Sequence, residues 1–128
     1  MTIQTGTKQR RQADRVQTQS PLSAVKINDC EEAVLKNISK NGLCCTTHTL
    51  IPEMTQVVLT IRLPALPQEE AEYYSFKSHG AVVRCDPVVK NNSRLKWEIG
   101  IFFTEMDSKS ANVLARYISR RQQPDELY

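Results

Sequence analysis

Long apolar runs are missing from this chain of 128 residues. Mean hydropathy is -0.44, and no stretch approaches the ~18 consecutive apolar residues of a membrane-spanning helix, so no membrane insertion is expected. The leading segment MTIQTGTKQRRQADR has charge but no apolar run behind it, so no secretory signal is expected either. Glycine (4) and proline (6) are scarce and the net charge is only +3, which excludes collagen and wholesale disorder. Catalytic signatures are also lacking: there is no GxSxG, HExxH, Walker loop or GxGxxG, and no paired acids stand out. The expectation is a protein that is not an enzyme and carries no metal. The four cysteines, Cys30, Cys44, Cys45 and Cys85, form no CxxC pair, and adjacent Cys44–Cys45 is poor spacing for a shared tetrahedral zinc. Reduced thiols in a cytoplasmic protein follow as the expectation. Alternation along a strand would put Cys44 and Cys45 on opposite faces. His48 and His79 lack partners at metal or catalytic spacing and read as surface residues.

What remains is ordinary for a globular domain: 40% hydrophobic and 24% charged residues. At this length roughly two-thirds of the unfolded surface can be buried, enough for one core. The charge is unevenly placed. Residues 1–26 carry Lys8, Arg10, Arg11, Arg15 and Lys26 against Asp14 alone, a net +4, while the remainder has 12 cations against 13 acids. The basicity belongs to an N-terminal arm that is rich in Gln and Thr and lacks apolar periodicity before Val16. Such a segment cannot bury enough surface to offset its ordering entropy, so a flexible arm is expected until an anion orders it. The expected division is an arm over 1–15, a barrel with its helix over 16–121 and a tail over 122–128.

From Leu22 onward the pattern is mostly strand-like. Val25 and Ile27 alternate with polar neighbours, Asn28-Asp29 marks a turn, and Glu31 to Ser39 follows as the second arm of a hairpin. Asn41-Gly42 is the strongest turn dipeptide, with a strand expected over Gly42 to Thr47. Thr55 to Leu63 places Val57, Leu59, Ile61 and Leu63 on one face, with Pro64 and Pro67 ending it. Pro67 to Glu72 reads as an acidic loop. Tyr73 to Cys85 is a long strand with an interior Gly80, where a bulge or bend is expected, and Asp86-Pro87 and Asn91 to Ser93 form a turn region. Leu95 to Thr104 aligns Trp97, Ile99, Ile101 and Phe103, with Trp97 assigned to the core. The last element is a helix capped by Asp107 or Ser108, with a stripe of Ala111, Leu114, Ala115 and Ile118. Arg116, Arg120 and Arg121 suit its C-terminal dipole, and Pro124 stops it. Six short antiparallel strands and one C-terminal helix close most easily into a small barrel.

Two clusters carry the chemistry. Arg11 and Arg15 form RxxxR, and Asn37, Ser39 and Gly42 form NxSxxG, separated by 21 residues. In this order, ahead of six strands and a helix, they resemble the PilZ domain, the bacterial receptor module for cyclic di-GMP. Gly80 to Arg84 resembles that family's G-x-V-x-R strand, and Glu98 to Phe103 resembles its I-G-[IL]-x-F strand. The resemblance implies a six-stranded antiparallel β-barrel with one C-terminal helix. It implies that Arg11 and Arg15 grip the ligand and that Asn37, Ser39 and Gly42 form the facing surface. Position 37 is Asn where many members carry Asp, which removes a negative charge that could have paired with an arginine. Arg10, directly before the motif, implies a stacked pair of cyclic di-GMP molecules per site.

The residue chemistry agrees. Cyclic di-GMP is a compact dianion with two guanine faces. A guanidinium can meet phosphate oxygens with two parallel bonds, match O6 and N7 of guanine, and stack on a base. Asn37 and Ser39, two apart on a strand, would share a face, and Gly42 would admit close approach of the ligand and a positive φ. The expectation is a signalling receptor whose arm wraps onto the barrel on binding and presents a new surface to a downstream protein partner. A single-stranded nucleic-acid binder is the alternative from another class, but aromatics make up only 6% and the barrel portion is slightly acidic. A degenerate adaptor that binds no ligand is the third.

Overall fold

A computed structural model describes residues 16–17, 23–65, 72–88 and 95–122. Arg10, Arg11, Arg15, most of the acidic loop, the Asn91 to Ser93 turn and Pro124 lie outside the described residues.

The strands are β1 (Val16–Gln17), β2 (Ala24–Ile27), β3 (Glu31–Ile38), β4 (Gly42–Thr47), β5 (Gln56–Pro64), β6 (Tyr73–Val88) and β7 (Lys96–Glu105), followed by the helix α1 (Ser108–Gln122). All described pairings are antiparallel. In spatial order the sheet runs β1-β3-β2-β5-β6-β7-β4, and β4 returns to pair with β3. Strands β2 to β7 therefore close a six-stranded antiparallel barrel, as the pattern of the sequence implies. Closure removes the exposed edges that a small open sheet would present. The short β1 adds to the end of β3, with Val16 opposite Ile38 and Gln17 opposite Asn37.

Period-two alternation builds the interior. Val57, Leu59, Ile61 and Leu63 of β5 all point inward and are at most 3% exposed. Val25, Ile27, Ile99, Ile101 and Cys45 meet them in the same core. Each large aliphatic side chain so buried contributes about 1.5–3 kcal/mol. The β2–β3 turn is where the Asn28-Asp29 signal lies, and both residues hold positive φ (54° and 60°), a region that Asn and Asp tolerate better than other side chains.

Three expectations shift. The strand read as ending at Cys85 continues through Asp86-Pro87 to Val88, with Pro87 opposite Trp97. A proline lacks only one donor, and the terminal part of a strand tolerates that loss. The turn placed at Asn41-Gly42 sits one residue earlier: Ser39 and Gly42 close it (Ser39 N–H to the Gly42 carbonyl, 2.8 Å) around Lys40-Asn41, and no described glycine has positive φ. The apolar stripe of α1 is rotated from the one expected. Leu114 and Tyr117 are buried and Val113 and Ile118 half-buried, while Ala111 and Ala115 face out. The larger side chains win the contact with the barrel, where α1 packs on β6. The expected cap is present, as the Ser110 backbone N–H donates to Asp107 Oδ1 at 2.8 Å.

Candidate functional site

Two irregularities in the barrel wall aim the side chains of one outer groove. In β3 the register shifts between Leu35 and Asn37: Leu35 lies opposite Cys45 and Asn37 opposite Cys44, leaving Lys36 as an extra residue. Ala33 and Leu35 point inward, so plain alternation would send Asn37 into the core. The bulge turns Ile38 inward instead and leaves Asn37 on the outside. In β6 a second shift between Val82 and Arg84 makes Val83 the extra residue. Val82 is buried and Arg84 is thereby turned outward. Between these strands lie β4 and β7, whose outward residues include Gly42, Cys44, Glu98, Gly100 and Phe102. Together with Asn37, Val83 and Arg84 they line an open groove of about 580 Å³.

A chain of polar contacts runs along it. Lys36 Nζ donates to Glu98 Oε2 at 2.5 Å. The Cys44 thiol faces the same oxygen at 3.5 Å, and Arg84 Nη2 approaches Cys44 Sγ at 3.7 Å. Arg84 Nε is 3.4 Å from Asp86 Oδ2. The Lys36 hydrogen bond holds the Glu98 carboxyl below its ordinary range, and Glu98 in turn raises the Lys36 ammonium. Burial first, then the Glu98 charge, pushes the Cys44 thiol up, so it stays protonated and is a poor nucleophile. Two cations thus balance two carboxylates. The groove has shape, hydrogen-bonding groups and an aromatic wall, but little net charge with which to hold a dianion by itself.

The residues singled out from the sequence fall as follows. Asn37 is half-buried on the groove. Gly42 lies on the groove as well, but its glycine character is demanded elsewhere: an added Cβ would collide with the Ile101 carbonyl oxygen across β4–β7. Ser39 does not line the groove with Asn37. It lies one residue beyond β3 and is 1% exposed, and its hydroxyl accepts from the Asn41 N–H at 3.1 Å and reaches the Gly42 carbonyl at 3.4 Å. Its side chain shapes the turn that carries Asn41 and Gly42. Arg10, Arg11 and Arg15 lie outside the described residues, although the residue after Arg15 begins β1 and pairs beside Asn37.

Lys36, Cys44, Arg84, Glu98, Gly100 and Phe102 were not identified from the sequence as groove residues. Alternation in β7 could have found Glu98, Gly100 and Phe102, since Ile99, Ile101 and Phe103 point inward. Lys36 and Arg84 owe their positions to bulges with no local sequence mark. Cys44 and Cys45 do lie on opposite faces, Cys45 inside the core and Cys44 against Glu98. Trp97 is partly buried against the core. Among the described residues no group of three or more His, Cys, Asp or Glu is placed to hold a metal ion, and no helix is long and apolar enough to cross a membrane.

Solved structures share this architecture. The inhibitor of motility MotI/DgrA of Bacillus subtilis is similar at a TM-score of 0.70 and 24% identity, over 90% of this chain. This chain spans only 52% of that longer protein. The PilZ domain of YcgR from Escherichia coli, solved with c-di-GMP, is similar at a TM-score of 0.59 and 14% identity, covering 92% of this chain and 95% of that one. No curated protein matches the sequence. The sequence profile of the PilZ domain matches residues 9–120, which takes in both motifs, every barrel strand and nearly all of the helix. The chain belongs to the PilZ domain family.

Proposed function

We propose that this protein is a cyclic di-GMP receptor that acts by binding rather than by catalysis. In this reading Arg11 and Arg15 grip the phosphates and guanine edges, and Asn37 faces them from the barrel. Ser39 and Gly42 set the turn between, and Arg10 adds a cation for a second, stacked ligand molecule. The carrying observation is the pairing of Val16–Gln17 with Asn37–Ile38. Successive Cα atoms are about 3.8 Å apart, so RxxxR is tethered at the rim on which NxSxxG begins. The charge balance of the groove supports the same division of labour, since the cations that a dianion needs are those of the arm. Kinship with the YcgR domain, solved with c-di-GMP, points to the same ligand class.

Binding then orders the arm over residues 1–15 against the 16–121 body, leaving 122–128 as a tail. The wrapped arm offers a new surface to a downstream protein partner. Reduced thiols and a nucleotide second messenger both suit the cytoplasm. Calorimetry with cyclic di-GMP, GMP and a short oligonucleotide tests the reading, repeated on Arg15→Ala. Cyclic di-GMP alone should bind, with two molecules per chain. Loss of a charge-assisted bond in the variant should cost about 1.5–3 kcal/mol. Equal affinity for the oligonucleotide, or no binding of any ligand, refutes the assignment. A stoichiometry of one removes the role given to Arg10.

A further inference from the structure

We infer that Phe102 is the stacking wall for a guanine base of the bound cyclic dinucleotide, an assignment that rests on the receptor reading above. A phenylalanine on the outside of a barrel normally packs against its cross-strand and same-face neighbours. Among the described residues Phe102 has almost nothing to pack on. Its two cross-strand partners are Gly42 on β4 and Ala81 on β6. Two residues along its own strand stand Gly100 and Thr104. The ring is therefore ringed by a glycine, a methyl, a second glycine and a small hydroxyl, and it is 52% exposed. Val83, the extra residue of the β6 bulge and 56% exposed, completes an apolar end to the groove.

The same two glycines leave the groove beside the ring without side chains on β4 and β7. A flat heterocycle entering there meets an open aromatic face at one end and polar groups further along, with Asn37, Asn41, Glu98 and Arg84 all lining the same groove. A purine base fits that combination: a π-face to stack and edges rich in donors and acceptors. In the receptor reading the phosphates belong to the guanidinium groups, so the aromatic wall acts on a different part of the ligand. Trp97, assigned to the core by its spacing, packs there, and the open aromatic of the groove is Phe102.

The experiment is calorimetry with cyclic di-GMP on the wild type and on Phe102→Ala, Phe102→Leu and Phe102→Trp, with a thermal melt of each. Stacking predicts that Ala and Leu weaken binding by about 5- to 150-fold while Trp retains it, with melting temperatures close to wild type because the ring is half exposed. The Phe102→Trp variant should also show ligand-dependent quenching of tryptophan emission beyond the Trp97 signal of the wild type. Binding by the wild type with no loss in Ala overturns the role of Phe102 and leaves the receptor reading standing. Full binding by Leu shows that apolar bulk suffices and overturns stacking. Silence of the wild type overturns the receptor reading and this assignment with it.

Discussion

Two glycines of the groove give opposite forecasts, and the difference follows from what surrounds each. At Gly42 an added Cβ would meet the Ile101 carbonyl oxygen, with the Ile101 carbonyl carbon and Phe102 Cα each at 3.2 Å. All three are backbone atoms of the neighbouring strand, so no side chain can rotate away and β4 must separate from β7. Two hydrogen bonds bracket the point, Ser39 N–H to the Gly42 carbonyl and Phe103 N–H to the Asn41 carbonyl, both 2.8 Å. Weakening both costs about 1–3 kcal/mol and the crowding itself about 1–2 kcal/mol more, so Gly42→Ala should lose about 2–5 kcal/mol. With an unfolding entropy of about 2.1 cal/mol/K per residue, this is a drop of roughly 8–18 °C in Tm. At Gly100 the nearest atom to an added Cβ is the Arg84 Cβ at 3.5 Å, an ordinary contact. Gly100→Ala should melt within about 2 °C of wild type, because the loss of backbone entropy in the unfolded state offsets any small crowding. Differential scanning calorimetry of the two variants without ligand decides the matter. A Gly42→Ala protein as stable as wild type, or equal losses in both, refutes the claim that Gly42 serves barrel closure.

Acid stability should carry the signature of Glu98. Its folded carboxyl sits below the ordinary 4.5, so its contribution is complete above that pH and is lost as pH falls through the depressed folded value. The pair is partly exposed, with side-chain exposures of 38% and 27%, so the effect should stay under about 1 kcal/mol. Tm against pH from 2 to 6 should be flatter in Glu98→Gln than in wild type; identical slopes would contradict the pairing with Lys36. Thiol reactivity should divide by burial. Cys30 is exposed, whereas Cys45 is fully buried with its thiol pushed up to about 12. Pulse alkylation at pH 8 with mass mapping should label Cys30 first and Cys45 only on unfolding; labelling at equal rates would count against the inward placement of Cys45.

The barrel was legible because alternation is a local signal: β5 announces its inward face in four alternate apolar positions, and β7 does the same. Asp107 before α1 was legible for a similar reason, since a cap acts within one turn. The groove was only partly legible. Treating Asn37 and Ser39 as a pair open to one ligand assumes a strand that continues, yet it ends at Ile38 and Ser39 is buried in the turn. A bulge is decided by how a closing barrel must bend, and the residues that occupy it need no special type. Lys36 and Val83 illustrate this, one long and charged, the other short and apolar. The α1 stripe slipped because Ala at helical spacing counts as apolar in a pattern, while Tyr117 and Val113 bury more surface.

The two bulges give the recognition surface slack in residue count. Excise Lys36 alone and β3 becomes regular: Leu35 still opposes Cys45 from inside, Asn37 still opposes Cys44 with its amide outward, and only the ion pair with Glu98 is lost. Removing Val83 would likewise leave Arg84 outward opposite Gly100, and would take one apolar side chain from that bank. A homologue can therefore drop either residue and keep its binding face, through a deletion that aligned letters alone would read as damage.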